Sequence, residues 1–391
     1  MTALKLTDEA AKPWPMTFRF IHSSDWHLAK PFRRFAPGLA GELAAARLGI
    51  IERLAKIARE RGARHILVAG DIFDSELIAT SEIRRALAQL AEESDLAWLL
   101  LPGNHDPLRL SGVWDQVSRL GVPPNVTVLS QAAPLALGSD AVLLPAPVTS
   151  KDPGRDITEW MDTAATPASA ARIGLAHGSI RGFGSDDDAS LLMAPDRAKR
   201  AGLQYLALGD WHGAARISAD TWYSGTPEPD QFPDNEPGFA LAVTVEGTQL
   251  AGVEKVPAAN FTWMRLERNI HSLADLSAIE PDLRPAGGTL AKTLVRLSLD
   301  GHLSLADRAA LDLWQEDWSA RLRVLEIDDK RLTITSCSGD FESLGLSGPL
   351  LEAAKHLSAM SSDPSNGERE AAATALLRLA GFTAQARSEA P

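Results

Sequence analysis

The sequence predicts an α/β protein: a four-layer αββα sandwich, then a small α+β domain, then carboxyl-terminal helices. Three observations predict it. Short runs that are apolar throughout alternate with segments of helical spacing over the first half, as expected for strands covered on both faces. After residue 210 the texture changes to shorter β segments, which are expected to form a second sheet packed on the first. From about 258 an alternation of strand and helix patterns restarts on a smaller scale.

Taken in order, the strand runs are 18–24, 65–70, 97–103, 141–146, 172–178 and 205–210. Residues 41–62 and 81–93 carry apolar positions at helical spacing between them. Segments 221–226, 239–247 and 249–257 are the shorter β pieces. The unit from 258 reads FTWMRLERNI (strand), SLADLSAIEPDL (helix), TLVRLSLDGHL (strand), LADRAALDLWQEDWSARL (helix), then RVLEIDD and RLTITS as two further strands. Helical segments at 347–360 and 368–382, separated by the polar linker SSDPSNG, end the chain.

With 391 residues and 45% apolar content, two or three domains with a sizeable core are expected. The balance of 39 basic to 51 acidic residues gives a net charge of −12, which argues mildly against a free-standing nucleic-acid binder. Two bound divalent ions would add about +4 where it matters. The lone cysteine, Cys337, excludes an internal disulfide and a cysteine-based zinc site, and is expected to be a buried small hydrophobe near a strand end. Residues 1–16 contain no apolar signal core, and no stretch approaches ~18 apolar residues. A cytoplasmic protein with no membrane span is the expectation, with 1–16 as an amino-terminal extension.

The chemistry lies where the strands end. Ser24-Asp25-Trp26-His27, Gly70-Asp71-Ile72-Phe73-Asp74, Gly103-Asn104-His105-Asp106, Ala176-His177-Gly178 and Gly209-Asp210-Trp211-His212 each follow a strand pattern and offer metal ligands. A site for two divalent ions about 3.5–4 Å apart needs ligands delivered rigidly, and short turns after strands do this. Asp25 and His27 alternate by two and project to one side of an extended segment. Asp71 is the natural bridging carboxylate, Asn104 offers an amide oxygen, and His177 and His212 offer imidazoles. Such a mixed set suits Mn²⁺, Fe or Zn²⁺ better than Ca²⁺. Alone, each piece has a plainer reading: a capping aspartate, a turn former at Asn104 or Asp106, a packed histidine at His177. Jointly those readings fail, since four of the nine histidines fall in the five motifs.

The set resembles the calcineurin-like metallophosphoesterase superfamily, and within it the SbcD-type (YhaO-like) DNA repair nucleases. FIHSSDWHLAKPF, VAGDIFD, LPGNHDP, LAHGSI and YSGTPEPDQF carry the resemblance, over roughly residues 17–235. It implies that Asp25, His27, Asp71 and His212 hold one metal, and Asp71, Asn104, His177 and Asp210 the other. It also implies that His105 faces the phosphate and serves the leaving oxygen, while a metal-bridging hydroxide attacks. Asp71 and His105 are thus the catalytic candidates. The family's last motif reads Gly-His-X-His, so Asp210 replaces a histidine. A third carboxylate lowers the net positive charge and favours Mn²⁺ or Mg²⁺.

The resemblance further implies a nuclease domain over 17–257, a capping domain over 258–337, and a tail over 338–391 that docks an SbcC-like coiled-coil ATPase. It implies a homodimer. The function expected is binuclear-metal-dependent hydrolysis of DNA in repair or processing. The alternatives are a small-molecule phosphodiesterase or phosphatase of the same superfamily, and a non-catalytic scaffold subunit. His22 is expected to pack in its strand, Asp74 to order its loop, and Trp26 and Trp211 to pack the rim. His65, His271, His302 and His356 lack supporting company. The acidic run Asp186–Asp188 is expected to be a solvated loop.

Overall fold

The protein is described by a computed structural model covering residues 17–150, 153–183, 191–285, 287–335, 341 and 344–388. The extension 1–16, Cys337 and Asp186–Asp188 lie outside the described residues. Two compact units emerge: one runs to Asp230 and includes Asn235–Asn260, the other comprises Gln231–Asp234 and everything from Phe261.

In the first unit β1 (Thr17–Ser23), β2 (His65–Val68), β3 (Ala97–Leu100) and β4 (Val126–Val128) run parallel side by side. Helices α1 (Pro37–Leu48), α2 (Ile50–Glu60), α3 (Thr80–Glu92) and α4 (Val113–Leu120) connect them. A second sheet starts with the antiparallel pair β5 (Leu135–Leu137) and β6 (Ala141–Ala146). It continues in parallel through β7 (Ala171–His177), β10 (Tyr205–Gly209) and β12 (Thr221–Tyr223), with β11 (Ala215–Arg216) at its edge. The short ladder β8 (Ser179–Ile180) and β9 (Leu192–Met193) follows β7, and α5 (Arg197–Arg200) precedes β10. The chain then returns to the first sheet: β13 (Phe239–Glu246) pairs antiparallel with β1, and β14 (Gln249–Pro257) with β13.

The apolar alternation explains the layering. Ile66 and Val68 face the helices with Trp98 and Leu100, while Leu67, Leu99 and Leu101 meet Leu143, Ile173, Leu175 and Ala207 of the second sheet. Leu144, Leu206 and Leu208 bury the outer face of that sheet. Strands buried on both faces need apolar residues at every position, so four layers follow from runs without polar alternation.

Two expectations need correction. The strands at 141–146, 172–178 and 205–210 build the second sheet themselves, whereas 239–257 joins the first. β1 has only one parallel neighbour, and the hairpin covers its other edge. The single helix expected over 41–62 is divided at Gly49, a poor helix former, although Gly49 N–H still donates to Ala45 O and Arg53 N–H to Gly49 O.

The second unit is a parallel three-stranded sheet of β15 (Thr262–Ile270), β16 (Thr293–Ser304) and β17 (Val324–Thr335). Helices α6 (Leu273–Ile279) and α7 (Leu305–Arg321) connect its strands, and Trp318, Leu297 and Leu276 lie in its core. The two strands expected here are one over Val324–Thr335: the polar Asp328-Asp329-Lys330 is taken up by a bulge where Ser298 pairs with Asp328 and Asp300 with Arg331. The last helices, α8 (Gly348–Ser362) and α9 (Arg369–Ser388), pack Ala354, Leu376 and Ala380 against Leu305 and Ala309 of α7. Among the described residues no helix is long and apolar enough to cross a membrane.

Candidate metal centre

The loops after β1 and β2 are laced together by their backbones. Asp25 N–H donates to Gly70 O (3.1 Å), His27 N–H to Asp71 O (2.9 Å) and Leu28 N–H to Ile72 O (2.8 Å). Holding the loops in this way forces Asp25, His27 and Asp71 into the left-handed region, at φ of 53°, 44° and 55°. Asp210 after β10 joins them at φ 105°. These are costly conformations for residues with a Cβ, and they persist where surrounding structure over-determines them. Gly70 is required in the same turn: at φ 90° its added Cβ would lie 2.2 Å from His177 Nδ1. A Cβ on Gly103 would meet Asp71 Oδ1 at 2.1 Å.

All eight expected site residues stand at strand ends of the first unit, and the folded chain brings them together. Asp25, His27 and His212 offer ligand atoms within 4.8 Å of one another, and so do Asp25, Asp71 and His177. Around the second group, His177 Nε2 lies 2.7 Å from Asn104 Oδ1, 3.5 Å from Asp71 Oδ1 and 3.9 Å from Asp210 Oδ1. His177 Nδ1 is 2.7 Å from Ala69 O, a pure acceptor, so Nδ1 carries the proton. Nε2 then points a lone pair at three oxygens, none of them a donor. With the Asn104 oxygen turned to Nε2 as it is, a proton or a cation relieves that arrangement. Burial alone would push His177 down, but the carboxylates of Asp71, Asp25 and Asp210 outweigh it and hold it well above its ordinary value.

At the first group, His27 Nε2 and His212 Nε2 face each other at 3.3 Å. Burial depresses both imidazoles toward the neutral form. Asp74 Oδ1 lies 3.5 Å from His27 Nδ1, which favours the proton there and leaves Nε2 free for a cation. Burial, reinforced by Asp71, pushes the Asp25 carboxyl up to about 6, against the pull of His177 and His27. Asp71 is held below the usual range, because His177 and His27 outweigh the effect of its burial. Lone pairs and carboxylates converging without donors fit divalent cations.

His105 lies at the exposed mouth. Its N–H donates to Asp71 Oδ1 (2.9 Å) and its Nδ1 lies 2.9 Å from Asp74 O, so Nε2 is left free. Its ring packs edge-on to His27 at 4.7 Å. Asp210 is half-buried, and its Oδ2 accepts from Ser179 Oγ at 2.7 Å. Its N–H donates to Asp25 Oδ1 at 3.1 Å, tying the β10 loop to the β1 loop.

Asp106 holds its turn, as its plainer reading expects, while the ion-paired Asp230, Glu228 and Arg47 escaped the sequence reading. Asp106 is fully buried and accepts from Gly103 N–H (2.7 Å) and Phe73 N–H (3.0 Å), clasping two site loops together. Asp230 is ion-paired with Lys30 (2.5 Å) and Arg47 (3.4 Å), while Glu228 binds Arg53 (2.6 Å). Asp230 also acts electrostatically on His212. The acids of YSGTPEPDQF were the available signal, because a buried carboxylate requires a partner. Trp26 does not pack the rim: it is fully buried, donates to Ser23 Oγ and packs on Trp98. Trp211 is half-buried against Phe183. His22 packs as expected, its Nε2–H donating to Leu208 O and its Nδ1 accepting from Tyr205 Oη. Of the four histidines without company in sequence, His271 and His302 face each other in the second unit with their Nδ1 atoms 3.0 Å apart.

Among solved structures, the chain is similar to TT1561 of Thermus thermophilus, with 12% identity and a TM-score of 0.38, over 62% of this chain and all of that one. It is also similar to the purple acid phosphatase PPD1 of yellow lupin seeds, with 14% identity and a TM-score of 0.39, over 63% of this chain and 55% of that one. No curated protein matches the sequence. The family model described as calcineurin-like phosphoesterase matches residues 18–241, more than half of the chain and the whole stretch that carries these loops. The chain belongs to the calcineurin-like phosphoesterase family.

Proposed function

We propose that this chain is a binuclear-metal phosphodiesterase that cleaves DNA, the nuclease subunit of a complex with an SbcC-like ATPase in DNA repair or processing. The observation that carries the hydrolytic reading is the set of oxygens around His177 Nε2, next to an exposed His105. The DWHL and GNHDP wording, which resembles SbcD-type nucleases, supports DNA as the substrate. Asp25, His27 and His212 would hold one divalent ion, and Asn104, His177 and Asp210 the other, with Asp71 shared. When bound, the ions supply Lewis acidity and a water of lowered pKa. Mn²⁺ ranks first because a third carboxylate, Asp210, hardens the donor set.

The chain's own residues do the rest. Asp71 fixes the His105 loop by accepting its N–H. Asp74 O accepts a hydrogen bond from Nδ1–H of His105 and so aims Nε2 outward, where it can serve the leaving oxygen. The net charge of −12 supports a partner that supplies part of the DNA affinity. In the same reading the protein is a cytoplasmic homodimer, with residues 258–337 as its cap and 338–391 as its docking tail.

The test is Mn²⁺-dependent cleavage of single- and double-stranded DNA, with His105→Ala as the control. A loss of roughly 10²–10⁴-fold in kcat at unchanged metal content is expected from that substitution. Turnover of aryl phosphodiesters but not DNA would favour the small-molecule alternative, and ATPase binding without turnover the scaffold alternative.

A further inference from the structure

A cavity of about 420 Å³ in the first unit is lined by four arginines, Arg155, Arg181, Arg197 and Arg200, together with Asp156 and Glu159. Two of the arginines are matched. Arg197, 1% exposed, binds Asp156 (2.6 Å) and Asp162 (2.7 Å), and Arg200 binds Asp196 (2.9 Å). The other two, Arg155 and Arg181, are exposed, and their guanidinium groups have no ion-pair or hydrogen-bond partner among the described residues. The buried Arg197 also leaves its Nε–H without an acceptor. A concave surface with two unmatched guanidinium groups and an unmatched buried N–H suits an anion, and guanidinium forks suit phosphate oxygens in particular.

Its position along the chain ties the cavity to the metal centre. Arg181 follows His177 by four residues, which span at most ~14 Å even when fully extended. Between them, Ser179 donates its hydroxyl to Asp210 Oδ2 at 2.7 Å. An anion held by Arg181 therefore lies within a few phosphates of His177.

We propose that this cavity is a phosphate subsite for the substrate strand, holding a phosphate other than the one that is cleaved. The proposal rests on the nuclease reading above. The test uses the full-length protein and a fluorescein-labelled single-stranded phosphorothioate dodecamer, which resists hydrolysis, with binding read by anisotropy across a salt series. In the pair Arg155→Gln with Arg181→Gln, Kd is expected to rise roughly tenfold or more. The salt slope is expected to fall by about 1.4, from two charges at about 0.7 each. The pair Arg155→Lys with Arg181→Lys keeps the slope, as does Arg85→Gln on the distant helix α3. Tight wild-type binding with Kd and slope unchanged in the Gln pair overturns the subsite and leaves the nuclease reading standing. A wild type that cleaves no DNA with Mn²⁺, yet is raised in Tm by inorganic phosphate in a way the Gln pair loses, overturns the nuclease reading and supports the anion site.

Discussion

In the phosphoesterase unit Asp25, His27, Asp71, Asp106 and His177 are buried, whereas Thr293 is the sole buried polar side chain among the described residues of the second unit. The backbone divides the same way. Every described non-glycine residue at positive φ belongs to the first unit, and Asp25, His27, Asp71 and Asp210 are four of the six. The second unit keeps its charges at the surface, as in Arg268–Asp282 (2.5 Å) and Arg321–Asp317 (2.8 Å), over a core of leucines and Trp318. One unit therefore accepts strain and buried charge to hold reactive groups, and the described residues of the other bury an almost wholly apolar core. Strain of this kind marks function when it coincides with convergent ligands.

The comparison can be broken from either side. Asp71→Asn keeps the shape of the side chain but removes the shared carboxylate, and phosphodiester turnover is expected to fall on the order of 10³-fold. Near wild-type turnover would remove the functional reason for the strain. In the second unit Trp318→Ala is expected to cost about 3–5 kcal/mol, read from the denaturant midpoint, while metal content stays at the wild-type level. Loss of metal from the folded variant would contradict the division of labour.

A smaller effect is expected from His22, which burial depresses from 6.5 to about 3 despite its hydrogen bond to Leu208 O. Its folded value lies below its unfolded one, so its contribution is complete above pH 6.5 and is lost as pH falls toward 3. Between pH 7 and 5 the first unit is expected to lose about 2 kcal/mol, at about 1.4 kcal/mol per pKa unit. His22→Gln is expected to flatten that slope, and an equal slope in the variant would assign the loss to other groups. Smallest of all, Arg268→Ala is expected to cost less than about 1 kcal/mol, since it breaks a surface pair. A larger loss would mean that the second unit also relies on its charges.

The site was more legible than the topology. Asp25, His27, Asp71, Asn104, His105, His177, Asp210 and His212 each follow an apolar run directly, so local pattern alone located them. Asp230 and Arg47 act through contacts between distant segments, such as Lys30 with Asp230, which no local pattern records. The same limit hid the pairing of β13 with β1, which joins residues more than 200 positions apart. In β17 the acidic Asp328-Asp329 resembled a turn because a bulge, like a turn, tolerates polar residues mid-strand.

The claim that the strand-end loops form one binuclear centre is tested most directly by metal stoichiometry of the full-length protein, wild type beside Asp71→Asn. Two divalent ions per chain in the wild type, with both weakened by the loss of the shared carboxylate, is the predicted result. A single ion per chain, held equally well without Asp71, would contradict it.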